Sequence, residues 1–234
     1  QKRNKANRIL CPMTYLLKHE INYYRNCFSE EIAMKVILSV KGRFHGFNLA
    51  QELYHRNALH KLITTYPKFV AKRFDIPRDK IISFLDLEVL ARSYRRVKND
   101  YWRVSNWFNN EFDKRVARKI TQADLFVGWS GSSFNSIRKA KSLNMTTILE
   151  RGSSHILYQK EILEEESALF GSSMETVHPR VIETELKEYE EADYISIPSE
   201  HVKKTFIEHG IPADKLIQIP YGVDLEESKN EGQN

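Results

Sequence analysis

Glu188-Tyr189-Glu190-Glu191-Ala192-Asp193-Tyr194-Ile195-Ser196-Ile197-Pro198-Ser199-Glu200, continued by Ile219-Pro220-Tyr221-Gly222-Val223-Asp224, is the stretch that decides the fold. It reads as a helix end, a buried strand, a capped helix and a second strand closed by a Gly turn. Ser199 is placed to accept from the free amides that open a helix over 200–209, and Gly210 stands where that helix should stop. Residues 215–219 alternate weakly and end on Pro220, which cannot extend a central strand.

The same strand–helix rhythm runs back through the chain. Residues 36–40, Val-Ile-Leu-Ser-Val, form a nearly continuous apolar run, as a parallel strand buried on both faces requires. A turn over 41–46 leads to a helix over 47–57, with Leu49, Ala50, Leu53 and Tyr54 on one face. Strands are expected at 62–65, 80–84, 124–129, 146–150 and 194–197. Helices are expected at 133–143, 156–170 and 180–192, with one or two long ones over 86–120. Such alternation implies an α/β fold, a Rossmann-like parallel sheet flanked by helices. Ligands then gather at the carboxyl ends of the strands.

Composition sets bounds. The chain has 234 residues, 41% of them hydrophobic and 11% aromatic, which describes a globular protein. No stretch approaches the ~18 consecutive apolar residues of a membrane span, and no apolar signal core is present. Cys11 and Cys27 carry neither metal spacing nor a disulfide framework. A cytoplasmic setting is the default. A net charge of +5 permits contact with anionic lipid or phosphorylated substrates without demanding it.

The closing stretch resembles the hinge end of the first domain in GT-B glycosyltransferases of the large retaining class, family four. There, EYxxADxIxxPS, a downstream Phe and Gly, and xIPxGVD close the acceptor-side domain. The resemblance covers roughly 34–224 and is strongest after Glu188. It implies one half of a GT-B fold: an acceptor-binding domain of a metal-independent enzyme that moves a sugar from a nucleotide-sugar to an acceptor hydroxyl. On this reading, 225–234 begins a linker toward a C-terminal donor domain, and the portion alone is inactive or nearly so. Residues 1–33 hold both cysteines and six Lys or Arg against three Glu. They read as an upstream extension, with Met34 as the biological start; a helix over 13–24 packed on the domain is the alternative.

Three strand-end loops carry the candidate site. Lys41-Gly42-Arg43-Phe44-His45-Gly46 is a Gly turn entering a helix, which suits a phosphate; its plain reading is a tight βα turn. The resemblance implies Gly42 and Gly46 at the donor phosphate and Arg43 and His45 at the acceptor. Gly128-Trp129-Ser130-Gly131-Ser132-Ser133 is near the GxSxG elbow but lacks its last glycine. Its plain reading is a polar loop with Ser132 or Ser133 capping the next helix, and Ser130 and Gly131 are kept as acceptor contacts. Glu150-Arg151-Gly152-Ser153-Ser154-His155 ends a strand in a small polar turn. The resembled enzymes commonly carry a histidine here, which implies a catalytic His155 facing an open cleft, with Arg151 and Ser153 at the acceptor. Without the resemblance, His155 is a surface or capping residue and Arg151 pairs with a carboxylate, for example in Glu164-Glu165-Glu166.

Residues 86–120 hold nine Lys or Arg, five acids and six aromatics. Leu87, Leu90, Ala91, Tyr94 and Val97 form a helical stripe among Arg92, Arg95, Arg96 and Lys98. This mixture suits an anionic membrane surface, or a stripe packed on the sheet. No nucleic-acid motif accompanies the charge. Asp86-Leu87-Glu88 and Asp224-Leu225-Glu226 belong to a helix start and a turn, so neither a metal nor a cofactor is expected. Glu183, Glu185, Glu188, Glu190 and Glu191 read as a solvated helix face. The partners implied are a nucleotide-sugar and a glycan or lipid-linked acceptor. The rival readings are a serine hydrolase using Ser130 and a non-catalytic carbohydrate-binding or scaffold protein.

Overall fold

The computed structural model describes residues 34–221 apart from Arg43, 99–100 and 172–176. The extension at 1–33, the GVD turn and residues 225–234 lie outside the described residues.

Seven parallel strands form one sheet in the order β3-β2-β1-β4-β5-β6-β7. They are β1 (Val36–Val40), β2 (Leu59–Thr64), β3 (Ile81–Ser83), β4 (Leu125–Trp129), β5 (Thr146–Glu150), β6 (Tyr194–Ile197) and β7 (Leu216–Gln218). The central strands β1 and β4 are buried along their whole length, which is why they read as continuous apolar runs. The chain builds outward from β1 to β3, then crosses back so that β4 lies against β1, with Val36 opposite Leu125 and Ser39 opposite Gly128. That reversal opens a crevice between the ends of β1 and β4.

The principal helices are α1 (Gly46–His55), α2 (Leu85–Val97), α3 (Tyr101–Ala117), α4 (Phe134–Lys141), α5 (Ile156–Leu169), α6 (Pro179–Glu191) and α7 (Glu200–Glu208). Helix α1 sets Phe47, Leu49, Ala50 and Leu53 into the core, and Phe47 meets Phe74 at 5.3 Å between ring centres. A larger cluster joins Ile37, Ile63, Phe126, Leu149 and Ile195 of the strands to helix residues. Phe108, Phe112 and Val116 recur at i, i+4 and i+8 on α3 and supply its spine. Helix α4 packs between α3 and α6.

The local signals work as the sequence suggests at α7. Ser199 Oγ accepts from the Val202 amide at 3.3 Å, and Gly210 takes φ +85° just past the helix end. Two expectations fail. Leu87 and Ala91 are buried, but Leu90 and Val97 of the same stripe face outward. The acidic face of α6 is not solvated at Glu185 and Glu188: both are buried, Glu188 with 0% exposure. They share a face with Tyr189 and Ala192 at i, i+3, i+4 and i+7.

Candidate functional site

The sheet reversal brings the β1–α1 loop against the ends of β4 and β5. His45 precedes α1, and its Nε2 lies 3.1 Å from Glu150 Oε1 at the end of β5. Its ring stands 5.2 Å from the Trp129 ring at the end of β4. Gly46 permits this close approach, because a Cβ there would meet Val40 Cγ1 at 3.0 Å and Trp129 Cη2 at 3.1 Å. Gly42 ends the strand with φ +96°, and its carbonyl accepts from the Thr64 hydroxyl at 3.2 Å. Arg43 lies outside the described residues. Thus His45, Gly46, Ser130 and Gly131 are brought to one edge of the sheet, beside Glu150.

The β4–α4 loop is held from within. The Gly131 and Ser133 amides donate to Glu188 Oε2 and Oε1, each at 2.6 Å. Asp113 of α3 takes the next amides, from Asn135 at 2.7 Å and Ser136 at 2.9 Å. Carboxylates from two other helices therefore occupy the amides at the start of α4, where an external anion would otherwise bind. Ser133 occupies the cap position, yet its hydroxyl donates back to the Trp129 carbonyl at 2.7 Å. The expected serine cap is thus replaced by Glu188 and Asp113. Burial pushes the Glu188 carboxyl up to about 8; the two amides oppose this, and the charges of Glu185 and Asp113 add to it.

Arg151 is turned inward. Its Nη1 pairs with Glu185 Oε2 at 2.8 Å and donates to Ser130 Oγ at 3.2 Å. Its Nη2 reaches the Ser154 carbonyl and Gln159 Oε1, both at 3.0 Å, and Nε reaches the same carbonyl at 3.2 Å. The Tyr189 hydroxyl donates to Glu185 Oε2 at 2.6 Å. The guanidinium thus ties β5, α5 and α6 together, and its carboxylate partner is Glu185, not the 164–166 run. Binding an external phosphate would require breaking this internal network. The Ser130 hydroxyl accepts from a cation, an arrangement opposite to the adjacent base that a nucleophilic serine needs. Ser153 is exposed at the mouth of this turn.

His155 does not face an open cleft. It is 1% exposed. Its Nδ1 accepts from the Leu157 amide at 3.3 Å and so caps α5, while its own amide donates to Thr205 Oγ1 at 3.1 Å. The ring is enclosed by Tyr189 and Phe206, each at 5.0 Å, and stacks on His209 at 4.5 Å. Burial pulls its pKa down to about 4, with His209 and Arg151 adding to the effect. The small Gly152-Ser153-Ser154 turn lets the chain dive beneath the site instead of lifting the imidazole into it.

Lys41, quoted in the first loop without a role of its own, and Asn109 of α3 lie beside these loops. Lys41, the first residue after β1, donates from Nζ to Asn109 Oδ1 of α3. Asn109 Nδ2 lies 3.9 Å from where a Cβ on Gly131 would stand, so Asn109 sits between Lys41 and the β4–α4 loop. Among the described residues, no group of three or more His, Cys, Asp or Glu is placed to hold a metal ion.

No protein-family model and no curated protein matches the chain. Solved structures with a similar backbone include a UDP-GlcNAc 2-epimerase from Neisseria meningitidis bound to UDP-GlcNAc, at 14% identity and TM-score 0.42, covering 79% of this chain and 45% of that one. A UDP-N-acetylglucosamine 2-epimerase from Rickettsia bellii is 15% identical at TM-score 0.46, over 80% of this chain and 44% of that one. A putative one from Listeria monocytogenes is 14% identical at TM-score 0.45, over 86% and 51%. The chain spans about half the length of these structures, and the likeness is one of backbone course.

Proposed function

We propose that this chain is the acceptor-binding part of an enzyme that transfers a sugar from a nucleotide-sugar to an acceptor hydroxyl. One observation carries the reading: His45, Gly46, Ser130, Gly131 and Glu150 converge at the carboxyl ends of β1, β4 and β5, where an open parallel sheet receives its ligand. The resemblance of 188–224 to the hinge end of a GT-B domain gives the reaction class. On this reading the domain spans 34–224, residues 1–33 precede it, and 225–234 leads to the domain that holds the nucleotide. His45, oriented by Glu150, is the group we assign to a sugar hydroxyl: with Nε2 donating to the Glu150 carboxylate, a neutral ring offers Nδ1 as an acceptor. The His155 expectation becomes a supporting role: it caps α5 beneath the site.

The test is an assay of the natural full-length product with UDP-, GDP- and ADP-sugars, with and without a panel of glycan acceptors, read by mass spectrometry. Acceptor-dependent product that falls about tenfold or more in His45→Ala, with unchanged thermal stability, supports the assignment. Conversion of UDP-GlcNAc to an epimer without acceptor would replace transfer by the chemistry named for the similar structures.

We further infer that α2 and α3 rest on an anionic lipid surface, which suits a lipid-linked acceptor. Val89, Leu90, Val97 and Trp107 are exposed, Trp107 at 53% and Val97 at 78%. Leu87, Val89, Leu90 and Trp107 line a mainly apolar groove there, with Asp86 and Arg115 also in its lining. Arg92, Arg95, Arg96 and Lys98 are exposed alongside. No described helix is long and apolar enough to cross a membrane.

A further inference from the structure

We propose that Lys41 anchors an anionic group, a phosphoryl or carboxylate oxygen, of the ligand that enters the crevice between β1 and β4. The amides opening α4 are taken by Glu188 and Asp113, and Arg151 is paired with Glu185. Each of these positive sites already holds an internal carboxyl group. Lys41 is different. It is half-buried at the end of β1, and its ammonium donates to the neutral amide oxygen of Asn109. The carboxylate that acts on it, Glu88, is shared with two other donors: Oε2 accepts from the Thr65 hydroxyl at 2.9 Å and Oε1 from Arg92 Nε at 2.7 Å.

A half-buried ammonium bonded to a neutral partner is poorly compensated. Burial pulls the Lys41 pKa down to about 8; Glu88 opposes the shift and Arg95 reinforces it. An oxyanion brought against Nζ would replace the lost hydration, and Asn109 holds the amine beside the Gly131 edge of the crevice for that contact. The inference goes beyond the transferase reading, since anion capture is measurable where no sugar is transferred.

The experiment uses the amine as its own reporter. The intact chain is reductively methylated with formaldehyde for short times at pH 8, and each lysine is followed by peptide mass spectrometry. Inorganic phosphate and glucuronate are the two probes, against chloride at equal ionic strength. An anion that raises the Lys41 pKa by about one unit cuts its neutral fraction from about one half to about one tenth, so its methylation should slow about fivefold. Exposed Lys187 should keep its rate. Protection by phosphate alone assigns a phosphoryl group, and by glucuronate alone a carboxylate. In parallel, amide NMR shifts of Gly42 and Gly131 on adding the protecting anion should vanish in Lys41→Gln and persist in Lys41→Arg. Equal methylation in chloride and both probes, or shifts that persist in Lys41→Gln, would overturn the proposal. The protection measurement on the unaltered chain stands even if a variant misfolds.

Discussion

Glu188 shows how one side chain organises the site. It sits at 0% exposure with both oxygens on loop amides, so Glu188→Ala leaves the Gly131 and Ser133 donors unpaired. That should cost about 2–5 kcal/mol in urea denaturation. The pH dependence has a definite sign. The carboxyl titrates at 4.5 by its ordinary value and at about 8 when folded. Between those values the unfolded chain has lost the proton that the folded chain keeps. This group's contribution is therefore full below 4.5 and lost as pH rises toward 8. Glu188→Gln, which cannot ionise, should flatten the fall in melting temperature over that window; an unchanged slope would remove Glu188 as its source. His155 runs the other way. Its pKa drops from 6.5 to about 4 on folding, so its contribution is full above 6.5 and lost as pH falls through 4. His155→Ala should lose the cap and ring packing, about 1–3 kcal/mol, and with them part of the acid sensitivity. The sequence hid both residues for one reason. A glutamate run reads as solvated and a histidine in a small turn reads as open, because burial of a polar group depends on partners from distant elements. The spacing of Glu185, Glu188, Tyr189 and Ala192 was the one local signal of a buried face.

Element identity was far more legible, because period and punctuation are local. Tyr194–Ile197 and Thr146–Glu150 have the expected bounds, and α7 starts and stops at the Ser199 cap and Gly210. Helix α1 begins one residue early, at Gly46, and β2 begins at Leu59 instead of 62. His60 and Lys61 interrupt the apolar run at that strand's start, so pattern alone begins it late. The α2 stripe was visible, but which part of it packs was not. The sheet takes Leu87 and Ala91 and leaves Leu90 and Val97 outside, beside Trp107. The membrane reading belongs to this element pair. Liposome co-sedimentation should require anionic lipid and weaken with salt, since charges beyond a Debye length of about 8–10 Å are screened. Leu90→Glu with Trp107→Glu should abolish it without unfolding the chain, because both side chains already face solvent. Binding that is equal on neutral vesicles, or untouched by the double substitution, would sink the reading.

At the scale of the molecule, the strand order places the candidate site more than any single residue does. Reversing direction between β1 and β4 makes the switch point at which open parallel sheets form a ligand crevice, and the polar loops of β1, β4 and β5 converge there. The same order places α4 between α3 and α6, so Asp113 and Glu188 fill the helix start that would otherwise receive a phosphate. Gly128 fixes this closure. A Cβ there would come within 2.8 Å of Ser133 Cβ, so the strand end and the loop can meet only without a side chain. The consequence for ligands is quantitative. With the α4 amides and Arg151 engaged internally, a diphosphate reaching these loops finds Lys41, whose ammonium donates to the neutral amide of Asn109. One partly compensated ammonium is a weak anchor. Calorimetry of this chain with UDP-, GDP- and ADP-sugars should therefore show binding no tighter than the millimolar range, about −4 kcal/mol. On the proposed reading, tight binding would need additional donors from a second domain on the nucleotide's side. Submicromolar affinity for any of these sugars with this chain alone would mean that the internal carboxylates give way to the ligand. The assignment of the crevice to the acceptor would then be wrong.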